Sequence, residues 1–428
     1  MAQHLLGVIH IINTVIGVLF FCCYAYQFFY IPFPWFKKSK PHKNDGIAHT
    51  AAVLICARNE QTVLPDLIRS LKQQTYDPAL IRIFVAADNC ADGTAEVARR
   101  EGATVYERHD TEHIGKGYAL AFLLDQLHRD CPDGFDTYYV FDADNLLRPD
   151  YLEKMNREFS DGYEIVTSYR NSKNYGQNWI SAGMGLWFLR ESRYLNHARK
   201  LLGTSCAVSG TGFGFTRKVL EQMGGTWNYF TLTEDIQFTI DHVTRGYRIG
   251  MAEDAEFFDE QPTEFRQSWR QRKRWARGYI QCYRAFGWRM FSLAFKSFAN
   301  YDMCLVIMPA FVLSIVGLLV NLLAIVLGIV THAPAESILQ IVGGILGGAY
   351  GTVFVLGVIT TVTEWKHLHT TPLKKILYMF TFPIFMITYI PNALSALFGK
   401  VTWQPIEHRV TAEQVSKDLL QQQGNAVE

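Results

Sequence analysis

Four long stretches of this chain contain no Asp, Glu, Lys or Arg: Met1–Phe36, Met303–Ala335, Ser337–Thr363 and Ile376–Gly399. Nothing else in the sequence limits its fold so strongly. As a helix, about 20 apolar residues cross a hydrocarbon core of about 30 Å, and each stretch is long enough. A wholly soluble multidomain fold, which 428 residues would otherwise suggest, is excluded. Composition agrees, with 19 % charged and 14 % aromatic residues, against a soluble norm of roughly 25 % charged. The sequence describes a membrane protein with a large polar insert.

Basic residues orient that insert. Lys37, Lys38, Lys40 and Lys43 follow the first apolar stretch and none precedes it. The positive-inside rule then puts the amino terminus outside and the insert in the cytosol, at the cell membrane. The first stretch lacks a basic leader and is too long for a signal peptide, so it reads as a retained anchor. Phe265–Asn300 is rich in Arg, Lys and aromatic residues and contains no acid, the pattern of helices lying on an inner membrane surface. The loop Thr331–Glu336 has no basic residue and is expected outside. Lys366, Lys374 and Lys375 return the chain inside.

The last apolar stretch carries Pro383 and Pro391, either of which should kink or break a helix. A single crossing would leave the tail outside. Lys400, Arg409 and Lys417 favour a cytosolic tail and a broken, re-entrant or interfacial segment. The expected organisation is a membrane helix over 1–36, an α/β domain over 45–262, interfacial helices over 263–300, a membrane hairpin over 302–363, the broken segment over 374–399, and a tail over 400–428. Net charge is +1 and the eight cysteines include no C-x-x-C pair. Nucleic acid is therefore not an expected partner, and reduced thiols are the simplest state.

Between Asp45 and about Pro262 the pattern is α/β. The β-rich runs Thr50–Cys56, Ile81–Ala86 and Thr137–Phe141 alternate with helix-like Thr62–Gln73, Thr94–Arg100 and Gly117–His128. Alternation of this kind implies a parallel sheet with its ligand at the carboxyl ends of the strands. Polar clusters follow each strand: Ala57-Arg58-Asn59-Glu60, then Asp88 to Thr94, then Asp142-Ala143-Asp144-Asn145. Asp92 alone reads as a helix cap. Three clusters together make a ligand crevice.

In an extended strand end, Asp142 and Asp144 point to one side. Two hard oxygen ligands there suit Mg²⁺ or Mn²⁺ completed by waters and substrate phosphates, which suggests a nucleotide-linked donor. Gly115-Lys116-Gly117 adds a cation, or is a surface turn. Val208 to Gly214 is glycine-rich and either approaches a ligand closely or is a flexible loop. Thr233-Glu234-Asp235 is either an N-cap with acids in the first turn or a site in which Asp235 is a general base. On a helix, Gln271, Arg274, Trp275 and Gly278 share one face. That face presents an amide, a guanidinium and an indole. The same segment also fits a solvated basic helix with interface tryptophans.

In order, Asp88, Asp142-x-Asp144, Thr233-Glu234-Asp235 and Gln271-x-x-Arg274-Trp275 resemble the membrane-embedded family 2 glycosyltransferases, which include cellulose, chitin, hyaluronan and poly-N-acetylglucosamine synthases. The resemblance covers roughly Thr50–Gly278. It implies an α/β glycosyltransferase-A domain, mostly a parallel sheet, set between membrane helices. It also implies inverting transfer from a UDP-sugar, with Asp88 at the uracil and Ala57 and Glu60 near the uridine. Asp142 and Asp144 would hold the metal, and Asp142 and Lys116 would lie at the diphosphate with Gln271 and Arg274. Asp235 would be the base, and Trp275, Glu234 and Gly210 would line the acceptor side.

In that family the Q-x-x-R-W pattern accompanies processive members. The expected product is therefore a β-linked polysaccharide exported through the membrane, the alternative being single additions to a lipid acceptor. Two features depart from the pattern. Asp88-Asn89 stands where many synthases have two acids, and the few membrane helices would need a homodimer to build a wide pore. Val401 to His408, with Trp403, resembles the carboxy-terminal gating segments of relatives.

Overall fold

The computed structural model describes residues 2–43, 47–307, 310–330, 335–399, 401–402, 404 and 406–416. Trp403, Pro405, Lys400, Lys417 and most of the loop Thr331–Glu336 lie outside the described residues. The first helix is α1 (Ala2–Tyr30), mostly apolar and without Asp, Glu, Lys or Arg.

The insert is built on one eight-stranded sheet: β1 (Ala51–Ala57), β2 (Ile81–Asp88), β3 (Thr104–Arg108), β4 (Thr137–Asp142), β5 (Leu146–Leu147), β6 (Ile165–Ser172), β7 (Phe213–Thr216) and β8 (Gly250–Asp259). Their order across the sheet is β3-β2-β1-β4-β7-β6-β8-β5. Strands β3, β2, β1 and β4 run parallel, as do β6 and β8. β7 is antiparallel to both β4 and β6, and β5 is antiparallel to β8.

The strand-forming runs are apolar on both faces because both faces are covered. Ala52 and Leu54 pack with α4 residues Leu120, Leu123 and Leu127, whereas Val53 and Ile55 pack with α2 residues Leu64, Leu67 and Leu71. These helices are α2 (Leu64–Lys72) and α4 (Lys116–Asp130), with α3 (Thr94–Arg100) between them in sequence. Each lies within two residues of the expected bounds.

Beyond the sheet's first half come α5 (Tyr151–Ser160) and α6 (Trp179–Arg190). Asn178 starts α6 with a full capping box, its side chain accepting from the Ile180 and Ser181 amides. From Arg190 the helix continues as a π-helical stretch (Glu191–His197) and a short α-helix (Ala198–Leu202). Next are α7 (Glu234–Thr244) and α8 (Phe265–Ala294), the latter a single 30-residue helix where several were expected. Helices α9 (Phe298–Ile307), α10 (Ala310–Val330) and α11 (Ala335–Thr363) lead to α12 (Pro372–Ile387) and α13 (Tyr389–Leu397).

Among the described residues, three helical stretches are long and apolar enough to cross a membrane: Ile11–Phe36, Leu346–Thr363 and Pro372–Leu397. The last contains Pro383 within α12 and is divided at Thr388. It packs on the polar domain. Phe385 of α12 is buried in a cluster with Ile180, Met184 and Phe188 of α6. Asn392 of α13 donates to the Trp269 carbonyl of α8 at 2.8 Å. Leu373, Leu377, Phe380 and Ile384 are exposed and, at helical spacing, form one outward apolar face.

Two membrane-side helices are tied to the polar domain by one buried group. Arg199 and Asp302 make a two-pronged ion pair at 2.7 and 2.8 Å, both fully buried, and the Tyr26 and Tyr30 hydroxyls donate to the same carboxylate at 2.8 and 2.7 Å.

Candidate active site

The strand ends, the glycine-rich segment, the start of α7 and one face of α8 surround a single cavity of about 750 Å³. Every residue expected at the site lines it: Ala57, Glu60, Asp88, Lys116, Asp142, Asp144, Gly210, Glu234, Asp235, Gln271, Arg274 and Trp275. The remaining wall brings in Arg170, Arg190, Glu191 and Asp259, which no sequence pattern grouped, and His408 from the segment that resembles a gating element.

At the β2 end, Asp88 accepts from Arg108 at 2.6 Å and from its neighbour Asn89 at 3.0 Å. Asn89 adopts a left-handed φ of 52°, which Asn tolerates better than most residues. Burial pushes the Asp88 carboxyl up despite the Arg108 charge beside it. Arg108 was not legible as a site residue, because only the β2–β3 register brings it opposite Asp88.

The Asp142-x-Asp144 geometry differs from expectation. β4 ends at Asp142, and the Asn145 amide donates back to the Asp142 carbonyl at 3.2 Å. A turn, not an extended strand, therefore carries Asp144, and the same-side rule does not apply. Both carboxylates still reach the cavity. Asp142 pairs with Lys116, whose ammonium also donates to the Gly210 carbonyl at 2.7 Å. Burial works against the Lys116 charge, but Asp142 and Glu234 hold its pKa above the usual lysine value. Lys116 is thus the first residue of α4 and part of the site, not a surface turn.

Asp144 is 4 % exposed and accepts from the Glu260 amide at 2.8 Å. Burial would raise its pKa, yet His408, Lys173 and that amide bring it below the ordinary value. Among the described residues no cluster of three or more His, Cys, Asp or Glu side chains is arranged to hold a metal. Two carboxylates in a cleft do suit Mg²⁺ or Mn²⁺ that completes its shell with water and substrate phosphate. The donor set therefore fits a metal that arrives with a diphosphate.

His408 comes from the tail. Its Nδ1 lies 2.9 Å from Glu60 Oε1 and its Nε2 4.0 Å from Asp144 Oδ2. Burial opposes its charge, while Asp144 and Glu60 raise its pKa to about 10. Glu60 is pushed up to about 7 by burial, with His408 working the other way. The described part of the tail is held to the domain further on: Glu260 accepts from the Arg409 and Val410 amides, Asp66 from the Ala412 amide, and Lys173 donates to the Val410 carbonyl.

Thr233 precedes α7 but makes no capping hydrogen bond, and its hydroxyl instead lies against Cys282 Sγ at 3.7 Å. The simple N-cap reading fails. Glu234 and Asp235 both turn into the cavity. Burial, then Asp235, pushes Glu234 up to about 7. Burial also raises Asp235, against the Ile236 amide and the Lys116 and Arg274 charges. Two buried carboxylates this close do not both ionise readily.

Gly278 explains how α8 approaches so closely. A Cβ there would lie 2.4 Å from Thr233 Oγ1 and 2.8 Å from its amide nitrogen. From the same face Arg274 donates to the Leu232 carbonyl at 2.7 Å, and Trp275 meets Phe188 edge-on at 6.1 Å. Arg272 turns away, onto Phe385 and Tyr389. In the glycine-rich segment, a Cβ on Gly212 would strike the Phe257 ring at 2.2 Å. Close packing, not flexibility, accounts for that glycine.

The sequence profile described as Glycosyltransferase like family 2 matches residues 49–278. The chain belongs to glycosyltransferase family 2. Its mostly parallel sheet agrees with the glycosyltransferase-A-like fold of that family. It is similar to the probable glycosyltransferase YdaM of Bacillus subtilis, at 26 % identity over 53 % of this chain and 54 % of that protein. It is also similar to the β-monoglucosyldiacylglycerol synthase of Synechocystis, at 26 % identity over 55 % of this chain and 49 % of that one. The glycosyltransferase thus spans about half the length of these curated relatives. A solved mannosyltransferase from Pyrobaculum calidifontis, in complex with GDP-Man and Mn²⁺, shares the fold, with TM-score 0.58 and 15 % identity over 92 % of this chain and 99 % of that one.

Proposed function

We propose that this glycosyltransferase moves a sugar from a UDP-sugar to a hydroxyl of a membrane lipid, at the cytosolic face and with inversion to a β-linkage. One observation carries the reading. The cavity that holds Asp142 and Asp144 runs on past Asp235 to Tyr24 and Gln27 of α1 and Leu305 and Val306 of α9. An acceptor could therefore remain in the membrane while its hydroxyl reaches the acids. The relative named for monoglucosyldiacylglycerol synthesis gives a lipid acceptor a precedent.

In this reading Asp88, held by Arg108, binds the uracil, with Ala57 and Glu60 beside the uridine. Asp142 and Asp144 hold Mg²⁺ or Mn²⁺, which supplies positive charge to the leaving diphosphate. Lys116, Gln271 and Arg274 bind the diphosphate, Arg274 being suited to fork onto its oxygens. Asp235 takes the acceptor proton as the acceptor oxygen bonds to the anomeric carbon. The bond from that carbon to the diphosphate breaks and UDP departs. Trp275, Glu234 and Gly210 line the acceptor side.

A second reading, a processive polysaccharide synthase, is favoured by Gln271-x-x-Arg274-Trp275, and the homodimer-built pore belongs to it alone. Purified full chain in lipid vesicles, given Mg²⁺ or Mn²⁺ and a panel of UDP-sugars, separates the two. Single additions to lipid support the first and long polymer supports the second. Absence of UDP release with every donor would sink both. Asp235→Asn should lower transfer by roughly 10²–10⁴-fold while UDP still binds.

A further inference from the structure

Several cations in the cavity wall already have anions. Lys116 pairs with Asp142, Arg170 with Asp259 and Arg199 with Asp302. Arg270, Lys273 and Arg274 reach the cavity from α8, the helix proposed above to hold the diphosphate. Arg190 differs from all of these. It is the last residue of α6, is 7 % exposed, and lines the cavity beside residues of α1. Among the described residues its guanidinium donates to the neutral amide oxygen of Gln27, at 3.2 Å, and lies 5.0 Å from the Trp187 ring centroid.

Glu191, next in the chain, makes no ion pair with Arg190 among the described residues, and burial pushes its carboxyl toward the neutral form. Burial likewise draws Arg190 down to about 10, with the Glu191 charge working the other way. A guanidinium does not shed its proton in a protein. A buried one that no ion pair neutralises is costly unless something else supplies the anion. The same cavity wall carries the apolar side chains Trp187, Phe188, Leu195, Leu305, Val306 and Met386.

We propose that Arg190 binds the phosphate of the acceptor, and that the acceptor is an anionic glycerophospholipid whose headgroup also carries a free hydroxyl. This rests on the lipid reading given above and narrows it. The cation sits where the cavity wall changes from the acids to the membrane helices, which is where a headgroup phosphate between a reacting hydroxyl and acyl chains would lie. Asp235 would be superfluous if the phosphate oxygen itself attacked, so the nucleophile is the headgroup hydroxyl. Its oxygen bonds to the anomeric carbon, its proton passes to Asp235, and UDP leaves with the electrons of the broken carbon–oxygen bond.

The full chain in detergent micelles, with no donor present, should bind phosphatidylglycerol more tightly than diacylglycerol. In vesicles with the active UDP-sugar, phosphatidylglycerol should accept sugar and diacylglycerol should not. Arg190→Gln should raise the acceptor KM roughly ten- to a hundredfold, with donor KM unchanged and Arg190→Lys restoring part of the loss. Equal binding of the two lipids would overturn the proposal, as would an acceptor KM unmoved by Arg190→Gln. Preference for a uronate oligosaccharide would overturn it in favour of an anionic polymer. Transfer to diacylglycerol alone would remove Arg190 from the acceptor site yet keep the lipid reading. Long polymer would remove both.

Discussion

Asp235 and Glu234 are adjacent carboxylates whose surroundings set them apart. Burial pushes Glu234 up to about 7 and raises Asp235 above its ordinary range, with the Lys116 and Arg274 charges working against both. The base must be ionised to accept a proton. kcat/KM should therefore fall as pH drops through the Asp235 pKa, above the ordinary aspartate value of about 3.9. With Asp235 as the base, the acid limb of the pH–rate profile should survive in Glu234→Gln. Loss of the limb in Glu234→Gln would make Glu234 the base instead. The sequence named both acids, and their order in chain was enough to find them. It could not reveal which one carries the proton, because that follows from burial and from Lys116 and Arg274 arriving from other elements.

At the scale of elements, α8 and the segment before α7 are fitted to each other through Gly278 and Thr233. Gly278→Ala would force a shift of a few tenths of an ångström or more, since both the Thr233 hydroxyl and its amide stand closer than contact distance to the new methyl. Overpacking of this kind costs typically about 1–3 kcal/mol. Here the strain falls on Glu234 and Asp235. We expect transfer to drop at least about tenfold while helix content by circular dichroism and UDP binding persist. An unchanged kcat would mean that α8 does not position the acids.

The shared face of Gln271, Arg274, Trp275 and Gly278 was legible from helical spacing alone. The strands and helices of the first half-sheet were legible too, because alternation fixes them. What escaped was mostly long-range. Arg108 meets Asp88 through strand register, and Arg170 reaches Asp259 across β6 and β8. His408 comes back from a tail that shares no local pattern with Glu60 or Asp144. The turn at Asp142 was missed because it depends on the Asn145 amide, which a period-two argument does not weigh.

For the whole molecule, the tail sets a parity. Residues 406–416 bond to Glu60, Asp66, Lys173 and Glu260, so the tail and the polar domain share one side of any membrane. The chain between them must cross an even number of times. We take helices α10 and α11, the hairpin expected from the sequence, as two crossings. We therefore propose that α12 and α13, although apolar and long enough to span, lie along the surface with the Leu373, Leu377, Phe380 and Ile384 face toward lipid. A tag after residue 428 should be digested with the catalytic domain in inside-out vesicles and protected with it in right-side-out ones. Opposite protection of tag and domain would make Pro372–Leu397 a third crossing after the domain.

The buried meeting of Arg199, Asp302, Tyr26 and Tyr30 has its own consequence for the molecule. Removing one partner of such a pair typically costs about 3–5 kcal/mol, so the catalytic acids and helices α1 and α9 behave as one rigid piece. In the lipid reading proposed above, Asp235 would then stand at a set height over the bilayer. It would measure its acceptor as a gauge measures a rod: a headgroup too short would leave its hydroxyl below the acids, and one too long would carry it past them.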